Sequence, residues 1–269
     1  MIGKALIGVV LVGLAAATAR AQSPPLIPAD PRAKKVIDDA VAALGGRKFL
    51  DMEDRIESGR AYSFYRDTLS GLSIAKIYTR YVTVNPLKSD EELGVRERQA
   101  FGKNEDSVVV FRQEGAANIN WRGAKELPAE DFTRYRDTIL HNIFYILRVR
   151  LHEAGLTFEY QGADVVDRVP VNIVDVIDAK NRTVRVYFHQ TTKLPVKQSY
   201  SRLDPKARER DEEITRFDRY REDDGIEWPH QITRERNGEK IYQIFAESVA
   251  FNQGLTDDLF SLTELTRKK

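Results

Sequence analysis

Four histidines and a scatter of closely spaced acids are the side chains with which this sequence could do chemistry. His141 and His152 fall three helical turns apart, which puts them on one face but about 16 Å from each other, too far to share a metal ion. His189 and His230 sit on separate predicted strands and read as solvated. Asp164, Asp167, Asp175 and Asp178 cluster near strand ends. Paired carboxylates do acid–base work when their surroundings push their pKa values apart, and turn positions give no such push. The chain has no HExxH pair, no G-x-S-x-G elbow, no GxxxxGK[ST] loop and no cysteine. Gly45-Gly46 lacks the helix that a phosphate cradle needs. Asn181-Arg182-Thr183 fits a glycosylation acceptor, which matters only in a pathway that modifies such sites. The expectation is a protein without catalytic residues, metal or cofactor.

The N-terminus explains the setting. Lys4, the apolar run Ala5–Ala17 and then Ala19-Arg20-Ala21 follow the charged, apolar and small-residue order of a secretory signal, with cleavage after Ala21. A run of 13 residues is short for a membrane span, which needs roughly 20. Cleavage removes Lys4 and Arg20 from the 42 basic residues, leaving 40 against 41 acidic ones and a net charge of −1. That balance gives no argument for nucleic acid. With no cysteine the mature chain is neither lipidated at its first residue nor stapled by disulfides. We therefore expect a cleaved leader at 1–21, an extended segment at 22–31, and one domain over 32–269.

Two helices and many strands should build that domain. Asp30 caps the first helix, Pro31 occupies its first position, and Ala33, Val36, Ile37, Ala40, Val41 and Leu44 form its apolar stripe. From about Arg55 the pattern changes to period two, giving roughly 11 strands linked by short turns. Ser70-Gly71 is read as the first turn, and Arg202–Glu213 as a charged connector. Near the C-terminus, Asp223-Asp224-Gly225 and Asn237-Gly238 mark tight hairpins in a three-strand meander. Pro229 must sit where no ladder partner needs an N–H. A sheet of that size has to curl, pair or be covered.

The second helix is read from Pro128 to Ala154, with acids in its first turn and Arg148, Arg150 and His152 in its last, the order that suits the helix dipole. Phe132, Tyr135, Ile139, Ile143 and Ile146 form one stripe; Leu140, Phe144, Leu147 and Leu151 form another. Lying flat on a sheet needs only one stripe about 100° wide. Two readings stay open: a helix wedged into the core, or a lid whose second stripe faces a cavity.

Taken with the leader, Leu44-Gly45-Gly46, the meander and the pattern Tyr187, Leu194-Pro195, Asp224-Gly225, Pro229, Asn237-Gly238, Val249, Asn252 and Leu259-Phe260, the chain resembles the LolA-like superfamily of outer-membrane lipoprotein-sorting proteins. The resemblance spans most of residues 32–260. It implies an α+β, mainly β fold: a curved antiparallel sheet, or incomplete β-barrel, covered by helices. It also implies a periplasmic monomer whose cavity binds lipid or lipoprotein acyl chains, with partners in the lipoprotein machinery of the two membranes. The alternative on the same fold is a sensor or interaction domain that carries nothing. Under the lid reading, Leu140, Phe144, Leu147 and Leu151 form one cavity wall, and the inward strand residues Val186, Phe188, Val196, Trp228 and Ile232 the other.

Overall fold

The computed structural model describes residues 30–82, 93–203 and 208–262. The leader and almost all of the 22–31 segment lie outside them, as does the far end of the second predicted strand at Val84. Asp30 caps the first helix, α1 (Pro31–Ala43), by accepting the Arg32 N–H at 2.9 Å. A single turn, α2 (Arg47–Leu50), follows. Next come β1 (Asp54–Tyr65), β2 (Thr68–Tyr81), β3 (Val95–Phe101), β4 (Ser107–Phe111), β5 (Ala116–Asn120) and β6 (Gly123–Glu126). The middle helices are α3 (Ala129–Leu140) and α4 (Ile143–Tyr145), the latter running on as a π-helical turn over Ile146–Arg150. The remaining strands are β7 (Thr157–Val166), β8 (Val169–Ile177), β9 (Thr183–His189), β10 (Pro195–Leu203), β11 (Arg210–Asp223), β12 (Ile226–Arg236) and β13 (Glu239–Phe251).

All 13 strands join one antiparallel sheet in the order β6-β5-β4-β3-β2-β1-β13-β12-β11-β10-β9-β8-β7. The fold is therefore mainly β with an unclosed sheet, as the resemblance implies, but with 13 strands rather than about 11. One strand that the periodicity missed is β6, whose four residues are all exposed and carry no alternation to read. The expected connector at Arg202–Glu213 is strand at both of its ends: β10 runs to Leu203 and β11 begins at Arg210. The first turn is not at Ser70-Gly71 but at Arg66-Asp67, where both residues take positive φ (50° and 57°). Asp tolerates that conformation without glycine's help.

Curvature follows from what α3 touches. Tyr135 stacks on Phe111 of β4 at 3.7 Å, and Thr138, one helical turn on, lies 3.5 Å from the Tyr200 hydroxyl of β10. Seven steps of about 4.8 Å separate those strands in a flat sheet. Both can meet one turn of helix only if the sheet curls around it. The inner face carries α1, α2 and α4 over a core that includes Phe49, Met52, Phe188 and Trp228. The outer face of β2–β5 buries Tyr78, Val108, Val110 and Ile119 under Phe260 of the C-terminal segment. Asp54 fastens that segment by accepting the backbone N–H groups of Gln253 and Leu255.

The two meander turns form as their residues require. Asp224 and Gly225 have φ of 53° and 80°, and Asn237 and Gly238 have 51° and 82°, the paired positive values of a type I′ hairpin. Pro229 lies just past the last β12–β13 pair, Gln231–Phe245, so no neighbour there needs its N–H. Gly225→Val adds strain at φ > 0, and a Cβ there also meets the Lys48 side chain at 2.5 Å. We expect a loss of more than about 1 kcal/mol in chemical denaturation.

Candidate functional site

The inner face changes character along β1 and β2. At the end nearer α1, cross-strand register lines up Phe251, Arg55, Thr79 and Glu97, then Val249, Glu57, Ile77 and Gln99. Further along, the same face carries Gly59, Ala61, Ser63, Gly71, Ser73 and Ala75. These small residues hold the floor of the sheet low. A Cβ on Gly59 would sit 1.9 Å from the Phe245 carbonyl, beside a bulge where β13 carries one extra residue, so nothing larger fits there.

Over the small-residue floor lies an open hollow of about 320 Å³, lined by Ala61, Ser63, Gly71, Ser73, Phe101 and Tyr242 together with the rim residues Tyr62 and Leu72. Ala61, Ala75, Ile77 and Ile244 pack beneath it, with Phe101, Ile232 and Tyr242 against them. Its volume falls in the 300–1,000 Å³ range of small-molecule sites. Among the described residues, none that lines this hollow belongs to a helix.

Deeper, under α3 and α4, is a second cavity of only about 70 Å³ between Arg55, Tyr81, Glu97, Asn142, Phe144, Trp228 and Ile232. Its charges are committed to one another. The Arg55 guanidinium donates to Glu57 at 2.5 Å, to the Tyr81 hydroxyl at 3.0 Å and to Thr79 at 3.1 Å, and it stacks 4.2 Å from the Trp228 ring. Burial alone would lower the Arg55 pKa, but attraction from Glu57, Tyr81 and Glu97 outweighs it and holds the proton more firmly than usual. Burial raises the Glu97 carboxyl and Glu57 adds to the shift; the Gln99 hydrogen bond and the Arg55 and Arg234 charges oppose it without cancelling it. Tyr145 is pushed up to about 12, chiefly by burial, although the Gly94 backbone hydrogen bond works against the shift.

A raised carboxyl pKa penalises the fold once the group ionises. The penalty is absent below the unfolded value of about 4.3 and complete above the folded one. Glu97→Gln keeps the shape and removes the ionisation. The variant should resist denaturant better than the wild type at pH 8, with the gap closing as the pH falls to about 4. Equal stability at both pH values would mean that its surroundings do not raise the Glu97 carboxyl.

A third hollow, about 560 Å³ and the largest of the three, opens near the start of β9, the far end of β10 and the start of β11. It is polar, and several of its charges are paired: Arg185 grips Asp175 through two bonds of 2.7 and 2.8 Å, and Arg202 holds Glu213 at 2.9 Å. Size alone would favour it; lining chemistry favours the small-residue hollow as a place for an apolar chain.

The predicted wall residues separate into several groups. Phe144, Trp228 and Ile232 do line the deep cavity. Leu147, Val186 and Phe188 are fully buried in the main core, and Leu151 packs against that core half-buried. Leu140 joins a side cluster with Leu93, Val95 and Tyr145. Val196 is half-buried at a β-bulge between Pro195 and Lys197, which breaks the alternation that placed it.

The single helix over Pro128–Ala154 is corrected. It stops at Leu140, and Asn142 caps a second start by accepting the N–H groups of Phe144 and Tyr145. The side chains read as one stripe therefore divide between a strap, α3, and a plug, α4. His141 and His152 accordingly do not share one helix. His141 is buried and stacks on Tyr200 at 4.0 Å, where burial lowers its pKa. Asp175 and Asp178, read as solvated, are buried in ion pairs with Arg185, Arg150 and Arg182. His230 is buried too, and pairs with Asp223 at 2.8 Å. Sequence reasoning missed the small-residue floor altogether; the only signal for it was the recurrence of Gly, Ala and Ser at alternate positions of β1 and β2.

No family model matches the chain and no curated protein matches it. Solved structures do. A DUF1329 family protein from Desulfovibrio piger superposes with a TM-score of 0.58 at 16% identity, covering 87% of this chain and 98% of that one. A domain named as an outer membrane lipoprotein-sorting protein, from Vibrio parahaemolyticus, gives 0.56 at 12%, covering 87% and 100%. A LolA superfamily protein from Nitrosomonas europaea gives 0.50 at 9%, covering 85% and 97%. At these identities the likeness establishes the fold, which is LolA-like.

Proposed function

We propose, from the LolA-like fold and the hollow over β1 and β2, that this is a periplasmic protein that holds lipid or lipoprotein acyl chains on the uncovered part of its inner face. The observation that carries this reading is the open 320 Å³ hollow floored by glycine, alanine and serine and apolar beneath. Moving an apolar chain out of water gains about 0.8 kcal/mol per CH₂, so ~14 carbons gain on the order of 11 kcal/mol. Against a bilayer the same chain gains almost nothing. A carrier must shield its cargo from water without holding it more tightly than a membrane does, and a shallow, uncovered trough meets both demands. The leader that ends at Ala21 would deliver the protein to the periplasm, where the lipoprotein machinery of the inner and outer membranes would load and unload it.

The test is a photo-crosslinking aromatic side chain in place of Tyr62, at the rim of the hollow. Irradiated in the native envelope, the protein should gain the mass of a lipid. A crosslink to protein alone would replace the carrier reading with an interaction domain on the same fold.

A further inference from the structure

Large apolar side chains are seldom left exposed together, and a cluster of them marks a surface that meets something. Four of the seven exposed ones among the described residues (Tyr65, Leu69, Leu72 and Ile74) lie on the β1–β2 hairpin, each more than half exposed. The hairpin overshoots its neighbours. The last β2–β3 pair is Ala75–Phe101, so Leu69 and Leu72 have no strand beside them on that edge. Register places Arg60 opposite Ile74, Tyr62 opposite Leu72 and Phe64 opposite Leu69, which puts Leu69, Leu72 and Ile74 on the outer face, while Tyr65, opposite Thr68 at the turn, points to the other side.

Charge completes the picture. Arg66 lies 5.4 Å over the Tyr65 ring and Lys240 lies 5.1 Å over Phe64. Neither side chain has an ion pair among the described residues. The nearby Asp67 carboxylate is engaged by the Lys240 backbone N–H at 2.8 Å, and Glu247 faces Arg60 at 3.3 Å. The tip therefore presents aromatic and aliphatic side chains with two cations that make no salt bridge among the described residues, beside the exposed carboxylates of Asp67 and Glu239.

We infer that the β1–β2 hairpin tip docks on a bilayer surface that contains anionic phospholipid. Aromatic rings and snorkelling basic side chains suit the depth of the headgroups, and each basic residue near an anionic surface contributes about fivefold to binding. The tip is continuous with the hollow, because Tyr62 and Leu72 line both. The inference deepens the lipid-holding reading, on which it rests for its purpose: the trough would open directly against the membrane that supplies or receives the chain.

Flotation of the mature chain with phosphatidylcholine vesicles, and with the same vesicles containing phosphatidylglycerol, tests the docking by itself. The protein should float with the mixed vesicles and not with the neutral ones, and salt should release it. Arg66→Gln with Lys240→Gln should weaken binding about 25-fold. Leu69→Ser with Ile74→Ser changes only exposed side chains and should weaken it about tenfold or more. Ser63→Trp, which fills the hollow, should still float with the mixed vesicles. Flotation without bound lipid in the purified protein would keep the docking surface and remove the trough reading. Docking is overturned if the wild type stays unbound with both vesicles, if both double variants float as it does, or if the tip instead makes a dimer that Leu69→Ser with Ile74→Ser abolishes.

Discussion

Phe144→Ala should cost about 3–5 kcal/mol of stability, the range for truncating a buried aromatic. Phe144 is 3% exposed and packs edge-on against Phe217 at 4.9 Å and at a tilt against Trp228 at 4.7 Å. Those rings come from β11 and β12, so the side chain fastens α4 to the middle of the sheet. Little nearby can relax into the space, because Ile143, Ile146 and Leu147 on the same segment are already buried. Equilibrium denaturation in urea reads the loss directly. A loss under about 1 kcal/mol would mean that this segment rests on the sheet as a loose lid. The larger loss means that the segment is part of the core, and that an apolar ligand has to use the part of the inner face it leaves open.

Asp178→Ala should cost a similar amount, about 3 kcal/mol or more. The Asp178 carboxylate accepts from Arg150 at 3.0 Å and Arg182 at 2.6 Å, and its other oxygen takes the backbone N–H groups of Lys180 and Arg182. Arg150 in turn donates to the Leu140 carbonyl at 2.9 Å, where α3 ends. One carboxylate thus shapes the β8–β9 turn and, through Arg150, holds the junction of strap and plug. Its removal leaves Arg150, 2% exposed, with Glu153 as its remaining carboxylate partner. Burial would raise the Asp178 pKa, but the hydrogen bonds from Arg150 and Arg182 lower it further than burial raises it. A lowered carboxylate pKa contributes stability above the unfolded value of about 3.9 and loses it as the pH falls through the folded one. The difference between wild type and variant should therefore stay constant from pH 6 to 8 and shrink below about pH 4. A gap that persists in acid would mean that the carboxylate acts through its backbone contacts alone.

What could be read from the residues is what local chemistry dictates. Asp30-Pro31 sets the start of α1, Asp224-Gly225 and Asn237-Gly238 set two hairpins, and the alternation of Val184, Val186 and Phe188 sets β9 and its inner face. What could not be read depends on partners far along the chain. Arg55, Glu57, Thr79 and Glu97 look like one solvated side of a strand, yet the curl of the sheet buries them. Ile56 and Tyr78 look like core and are, but on the outer face, under Phe260. The β1–β2 turn escaped because Arg66 and Asp67 take left-handed φ without a glycine, and the end of α3 because Asn142 looks like any polar helix residue until its caps are seen. The hollow was least legible of all. It is made by side chains that are not there, and hydrophobic patterning registers only those that are.

On the proposed reading, the hollow over β1 and β2 holds an apolar chain. Mass spectrometry of organic extracts, taken from natively purified wild type and from Ser63→Trp, tests it most directly. Ser63 is exposed at the mouth of the hollow, so the bulky replacement fills the space without disturbing the core. The wild type should yield lipid in amounts close to one per chain, and the folded variant should yield almost none. Lipid-free wild type, or equal lipid from both proteins, would contradict the claim.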